Sequence, residues 1–125
     1  VALIDTLNEM AGEECFGFCL DTGHLNLFKK FVPTYVHTLG KRIKAVHLHD
    51  NDRGGDLHLA PYTGVMPWDE VLSALKKIRY SGNLNFETFA QIIPLPDALV
   101  PEFLRHIATI GKYFKEVLQN EGDIR

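Results

Sequence analysis

The chain has 125 residues, of which 46% are hydrophobic and 23% charged, and its formal net charge is −3. That length bounds it to one domain, and that composition to a globular fold that buries a core rather than a disordered chain. The clustered Lys and Arg of a nucleic-acid binder, the ~20-residue apolar run of a membrane span and the basic, cleavable start of a secreted chain are all missing, so no nucleic-acid or membrane partner and a cytoplasmic address are expected.

The first segment, Val1 to Met10, sets Val1, Ile4, Leu7 and Ala11 on one helical face, with Gly12 placed to end it. It carries no start signal, so a strand and loop are expected upstream of Val1. The apolar run Phe16 to Leu20 reads as a strand that breaks off into Asp21-Thr-Gly-His24. Cys15 and Cys19 stand four apart in that strand, on one face but too far apart to bridge, which predicts reduced, structural thiols. After a loop, Pro33-Thr-Tyr35 suits the first turn of a helix, where a missing N–H costs nothing, and Gly40 ends it.

Ile43 to Leu48 is the second strand, followed by a polar, glycine-bearing loop from Asp50 to Pro67, long enough to suggest function. Trp68 and Asp69 introduce the cleanest helix, with Asp69 as N-cap and Val71, Leu72, Leu75 and Ile78 on one stripe that stops near Gly82. Lys76, Lys77 and Arg79 fall at its end, where cations suit the helix dipole. Leu84 to Glu87 is the third strand. Pro94, Pro96 and Pro101 mark a loop before a closing helix that turns Phe103, Ile107, Ile110, Phe114 and Val117 inward. The predicted order is a helix over 1–11 and βα units over 15–41, 43–80 and 83–120, one α/β domain with a parallel sheet and right-handed crossovers.

Each predicted strand runs into groups that ligate metals, and in parallel α/β proteins the carboxyl ends of the strands are where chemistry sits. Asp21-Thr-Gly-His24 taken alone is equally well explained by an aspartate capping the next helix. His47 and His49 share one side of the second strand, with Leu48 on the other. Only one of them need reach a metal, and His47 is favoured because His49-Asp50-Asn51 reads as the turn that follows. In the long loop, Asp56-Leu-His58 offers a further carboxylate and imidazole. Arg53-Gly-Gly55 and Pro61-Tyr-Thr-Gly64 flank it with the cation and small residues that an anionic or polyhydroxylated substrate requires. Glu87, directly after a buried strand, needs a partner, and a divalent ion is a good one. Mixed carboxylate and imidazole ligands suit Mn²⁺, Zn²⁺ or Co²⁺ better than Ca²⁺. His37 and His106 lie mid-helix and receive no role. Tyr62, Trp68 and Phe89 offer a stacking wall for a sugar, although packing alone explains them more simply.

The motifs Asp21-Thr-Gly-His24, Val46-His-Leu-His-Asp-Asn-Asp-Arg53, Asp56-Leu-His58, Gly64-Val-Met-Pro-Trp68 and Phe86-Glu-Thr88 run in an order and spacing that resembles a known family. It is the xylose-isomerase-like TIM barrels, which include sugar and sugar-phosphate isomerases and epimerases, inosose dehydratases and metal-dependent abasic-site endonucleases. The resemblance implies the C-terminal three βα units of a (β/α)8 TIM barrel, with Asp21, His47 and Glu87 as metal ligands from barrel strands six, seven and eight. It implies one divalent ion (Mn, Zn, Co or Mg), substrate contacts from His24 and Arg53, and Glu87 as a catalytic carboxylate. In the endonuclease branch, positions matching His24, Asp56 and His58 hold additional zinc ions.

The implied activity is sugar or sugar-phosphate isomerisation or epimerisation by proton transfer through a metal-bound enediolate. A second catalytic glutamate, from the fifth strand, is expected to precede Val1. The alternatives are a zinc-dependent abasic-site endonuclease, disfavoured by the acidic balance, and a non-catalytic binding or assembly module. A barrel needs ~250 residues and eight strands. Three strands would leave an open edge and an unpacked apolar face, so the chain is expected to form a homo-oligomer or to lack its N-terminal half.

Overall fold

The structure, a computed structural model, describes residues 1–120. The first helix, α1 (Ala2–Ala11), ends at Gly12, whose φ of 73° is left-handed and whose N–H returns to the carbonyl of Glu9. No residue of α1 is fully buried. Polar contacts tether it instead: Arg42 donates to Asp5 through Nε at 2.5 Å and Nη2 at 2.8 Å, and Asn8 pairs with both backbone groups of Phe16.

That second contact explains the first departure from the expected elements. With its backbone engaged by Asn8, Phe16 is outside the sheet, and β1 covers Phe18–Asp21 rather than 16–20. Cys15 therefore lies outside the strand, and both cysteines are free and exposed rather than structural core thiols. Asp21 belongs to the strand and also caps a short helix, α2 (Thr22–Leu27), where only a loop was expected. Helix α3 (Val32–Leu39) has Pro33 in its first turn, and a 3-10 turn (Gly40–Arg42) leads into β2 (Ile43–Leu48).

Helix α4 (Trp68–Lys77) starts from Pro67 and not from Asp69. Asp69 lies inside the first turn, past the capping position, and its carboxylate accepts a hydrogen bond from the Tyr62 hydroxyl at 3.0 Å. Strand β3 (Leu84–Phe86) stops one residue before Glu87, but the Glu87 N–H still donates to the Leu48 carbonyl at 3.1 Å and holds that residue on the sheet. The proline-rich segment contains a short helix, α5 (Phe89–Ile92), and a 3-10 turn (Asp97–Leu99) before α6 (Val100–Gln119).

The three strands are parallel in the order β1-β2-β3, with Asp21 beside His47 and His47 beside Asn85. One face carries the core: Leu20, Val46 and Leu48 pack with Val32 and Val36 of α3, Trp68, Val71, Leu72 and Leu75 of α4, and Phe114 of α6. Each such side chain contributes roughly 1.5–3 kcal/mol by leaving water. Strand alternation turns Cys19, Asp21, Ala45 and His47 to the other face. That face is small and polar, with Cys19 and Asn85 exposed, and is not the apolar patch expected of an unpacked sheet. Among the described residues the sheet is open, each outer strand pairing on one side only. No described helix is long and apolar enough to cross a membrane.

Candidate metal centre

The β1–β2 register and the Glu87-to-Leu48 hydrogen bond bring the three strand ends to one rim. There the Nδ1 of His47 lies 2.8 Å from Glu87 Oε1 and 3.8 Å from Asp21 Oδ2. One ligand atom from each residue falls within 4.8 Å of the others, and all three side chains are partly buried. Burial pushes the Asp21 carboxyl up, but hydrogen bonds from the His49 ring and the His24 backbone N–H, with the charges of both rings, outweigh it and hold it below the ordinary 3.8. Asp21 is thus kept as the carboxylate a cation needs. Two carboxylates around one imidazole leave negative charge that a divalent ion neutralises, so this donor set fits the metal implied by the motifs. Cys19 faces the same side. Desolvation, then the Asp21 and Glu87 charges, raise its thiol above the usual range, which disfavours the thiolate form that ligates or reacts.

A second group adjoins the first. His24 reaches Asp21 Oδ2 through Nδ1 at 2.9 Å and Asp56 Oδ2 through Nε2 at 3.3 Å. The same Asp56 oxygen is 3.3 Å from His58 Nε2, while His58 Nδ1 lies 2.9 Å from the Glu87 carbonyl. His24, Asp56 and His58, joined by His49, present ligand atoms within 4.8 Å of one another. His49 is not the simple turn residue expected: its ring is fully buried, 2.9 Å from Asp21 Oδ1 and stacked on His58 with centroids 4.0 Å apart. The alternation of His47 and His49 was the signal for this, because the chain keeps its extended path one residue beyond β2.

Arg53 joins the site through a buried amide network. Its φ of 65° is left-handed, and its N–H donates to Asn51 Oδ1 at 3.1 Å while its Nε donates to Asn26 Oδ1 at 3.0 Å. Asn26 in turn donates to Asn51, and Asn51 to the Gly23 carbonyl, so the loop carrying Arg53 is tied to α2. Neither asparagine was legible as a site residue. Of the aromatic candidates, Trp68 is 1% exposed and belongs to the core, so it stacks on no sugar. Phe89 is exposed on the site's rim with its ring 4.6 Å from that of His58, and Tyr62 is exposed beside Asp69.

Parallel βα units, a rim of carboxylates and imidazoles, and the motif order agree with one family model, that of the xylose isomerase-like TIM barrel, which matches residues 2–110. The chain belongs to that family. This xylose isomerase-like chain is 31% identical over 86 residues to a D-psicose 3-epimerase of Enterocloster bolteae, a match covering 69% of the chain and 27% of that protein. It is 38% identical over 72 residues to an uncharacterised protein of Sinorhizobium fredii, covering 58% and 23% respectively. Among solved structures it resembles a D-tagatose 3-epimerase-like protein with a TM-score of 0.55 and 31% identity, over 78% of this chain and 36% of that one. The chain thus spans about a quarter of the curated relatives it matches. The fold is that of a partial barrel: three βα units with an open sheet.

Proposed function

We propose that this chain is the part of a divalent-metal-dependent sugar or sugar-phosphate isomerase or epimerase that supplies Asp21, His47 and Glu87 as metal ligands. The observation that carries the reading is the convergence of those three side chains within 4.8 Å at one rim of the sheet. It is supported by the names of two similar proteins, a D-psicose 3-epimerase and a D-tagatose 3-epimerase-like protein. Inverting a carbon beside a carbonyl requires removal of its proton and return of a proton to the opposite face. A divalent ion in this site, Mn²⁺, Zn²⁺, Co²⁺ or Mg²⁺, supplies Lewis-acid polarisation of the carbonyl and neighbouring hydroxyl.

Glu87 is assigned to the proton at one face of the substrate carbon, since its carboxylate lies at the rim and its backbone is fixed to Leu48. The opposite face is assigned to the second glutamate that the family resemblance implies, from the fifth barrel strand. His24 and Arg53 are assigned to the substrate hydroxyls or phosphate, each positioned by bonds that leave it at the mouth of the site. The free thiols of Cys15 and Cys19 accord with a reducing compartment, the cytoplasm.

Calorimetric titration with Mn²⁺ and metal analysis of the protein expressed from its full reading frame test this. Micromolar or tighter binding that is lost in Asp21→Ala and His47→Ala is expected, with Glu87→Gln lowering ketohexose epimerisation by about 10²–10⁴-fold. No metal bound by the unmodified protein would remove the reading and favour a non-catalytic assembly module. The group of His24, Asp56 and His58 supports a second reading, a zinc-dependent abasic-site endonuclease. Its mark would be more than one equivalent of zinc together with cleavage of abasic DNA.

A further inference from the structure

We infer that His49 is a positioning residue, whose buried ring holds one oxygen of Asp21 so that the other faces His47 and Glu87. The inference rests on the metal reading of Asp21, His47 and Glu87. Asp21 Oδ1 has two donors, the His24 backbone N–H at 2.8 Å and His49 Nε2 at 2.9 Å. Asp21 Oδ2 points the other way, 2.9 Å from His24 Nδ1 and 3.8 Å from His47 Nδ1. A carboxylate on an aspartate turns easily about its last torsion, so unless Oδ1 is engaged the two oxygens are interchangeable. Here a backbone donor and a ring donor fix which oxygen meets the cation.

The ring that does this is itself over-determined. The His49 backbone is bound on both sides by Thr22, whose hydroxyl lies 3.2 Å from both its N–H and its carbonyl. One face of the ring lies on His58, with planes 10° apart. The space beside it exists because residue 23 is glycine: a Cβ there would come within 2.0 Å of His49 Cε1. To donate to a carboxylate, Nε2 must carry a proton. Nδ1 is buried and has no hydrogen-bond partner among the described residues. An unpaired buried polar atom is unfavourable, and an apolar side chain would fill the same slot without it. What the imidazole offers in compensation is the Nε2–H bond to Asp21.

Removing an outer partner of a metal ligand typically weakens metal affinity by 10–100-fold. The test is made on protein expressed from its full reading frame, with Mn²⁺ as the probe in calorimetry and with imidazole nitrogen NMR on the metal-free protein. His49→Phe should bind Mn²⁺ 10–100-fold more weakly, while His49→Gln, whose amide nitrogen falls near the position of Nε2, should retain most of the affinity. Gly23→Ala should show the same loss as His49→Phe although Gly23 offers no ligand. NMR should report a proton on His49 Nε2 that disappears from its low-field position in Asp21→Ala. Equal Mn²⁺ affinity in all folded variants, or an Nε2 that carries no proton, would overturn the inference. A wild-type protein that takes up no Mn²⁺ would overturn the metal reading, and the NMR result would then decide by itself whether His49 holds Asp21.

Discussion

Asp50 is fully buried, and its carboxylate accepts hydrogen bonds from the N–H groups of Asn51 at 2.9 Å and Met66 at 3.0 Å and from the Trp68 indole at 2.8 Å. Its backbone forms an isolated antiparallel bridge with Leu59, so one residue closes the long loop at both its ends and its middle. The close approach also dictates Gly64, where a Cβ would meet Asp50 Oδ1 at 2.3 Å. Asp50→Ala leaves three buried donors unpaired and is expected to lower stability by on the order of 3 kcal/mol or more, a large part of the total for a small domain, as measured by urea unfolding. A loss under ~1 kcal/mol would mean that water reaches those donors. At this scale the ligand candidates were readable because a carboxylate or imidazole directly after an apolar run is a local pattern. Asn26, Asn51 and the buried side of His49 were not, because their partners lie 25 to 28 residues away in sequence and no local pattern encodes such a contact.

Among the elements, α1 and α6 are attached by opposite means. Helix α1 depends on exposed polar links, and the Arg42 hydrogen bond, opposed by some desolvation and aided by the Arg42 charge, holds the Asp5 carboxyl below its ordinary 3.8. A carboxyl whose pKa is lower in the folded chain adds stability above its unfolded value and loses it as pH falls through the folded one. Protection of the α1 amides against hydrogen exchange should therefore fall below pH 3.8, and Asp5→Asn should abolish that step; a flat profile in the unmodified chain would refute the link. Helix α6 depends on burial. Phe114 is 0% exposed, with its ring 5.3 Å from Trp68 and 5.8 Å from Phe86, and Phe114→Ala should cost about 3–5 kcal/mol in denaturant unfolding. The α6 stripe was legible for this reason, since apolar spacing reports burial directly. The start of β1 was not legible because Asn8, eight residues away, engages the Phe16 backbone, and α4 starts one residue ahead of its expected cap because Trp68 is already helical.

At the level of the whole molecule, the sheet places the candidate ligands Asp21 and His47 on the face that the helices leave bare, and both outer strands keep one unpaired edge among the described residues. A closed barrel of this family uses eight strands, in which such edges disappear and the inner face is filled. The described residues of this chain form no such closure. Its bare face is polar and half-buried rather than apolar, so hydrophobic attraction between two such faces is weak, and the driving force for association comes from the unpaired backbone groups of β1 and β3. Light scattering in the presence of reductant, which excludes bridging through Cys15 and Cys19, should show dimers or larger species growing with concentration in the micromolar range. Cys19→Lys sets an inward-pointing charge on the β1 edge and should shift the population toward monomer. Met10→Lys, at a position 80% exposed on α1 and outside the sheet, should leave it unchanged. A folded monomer of the unmodified polypeptide at these concentrations would show that short, twisted edges suffice to keep three βα units apart.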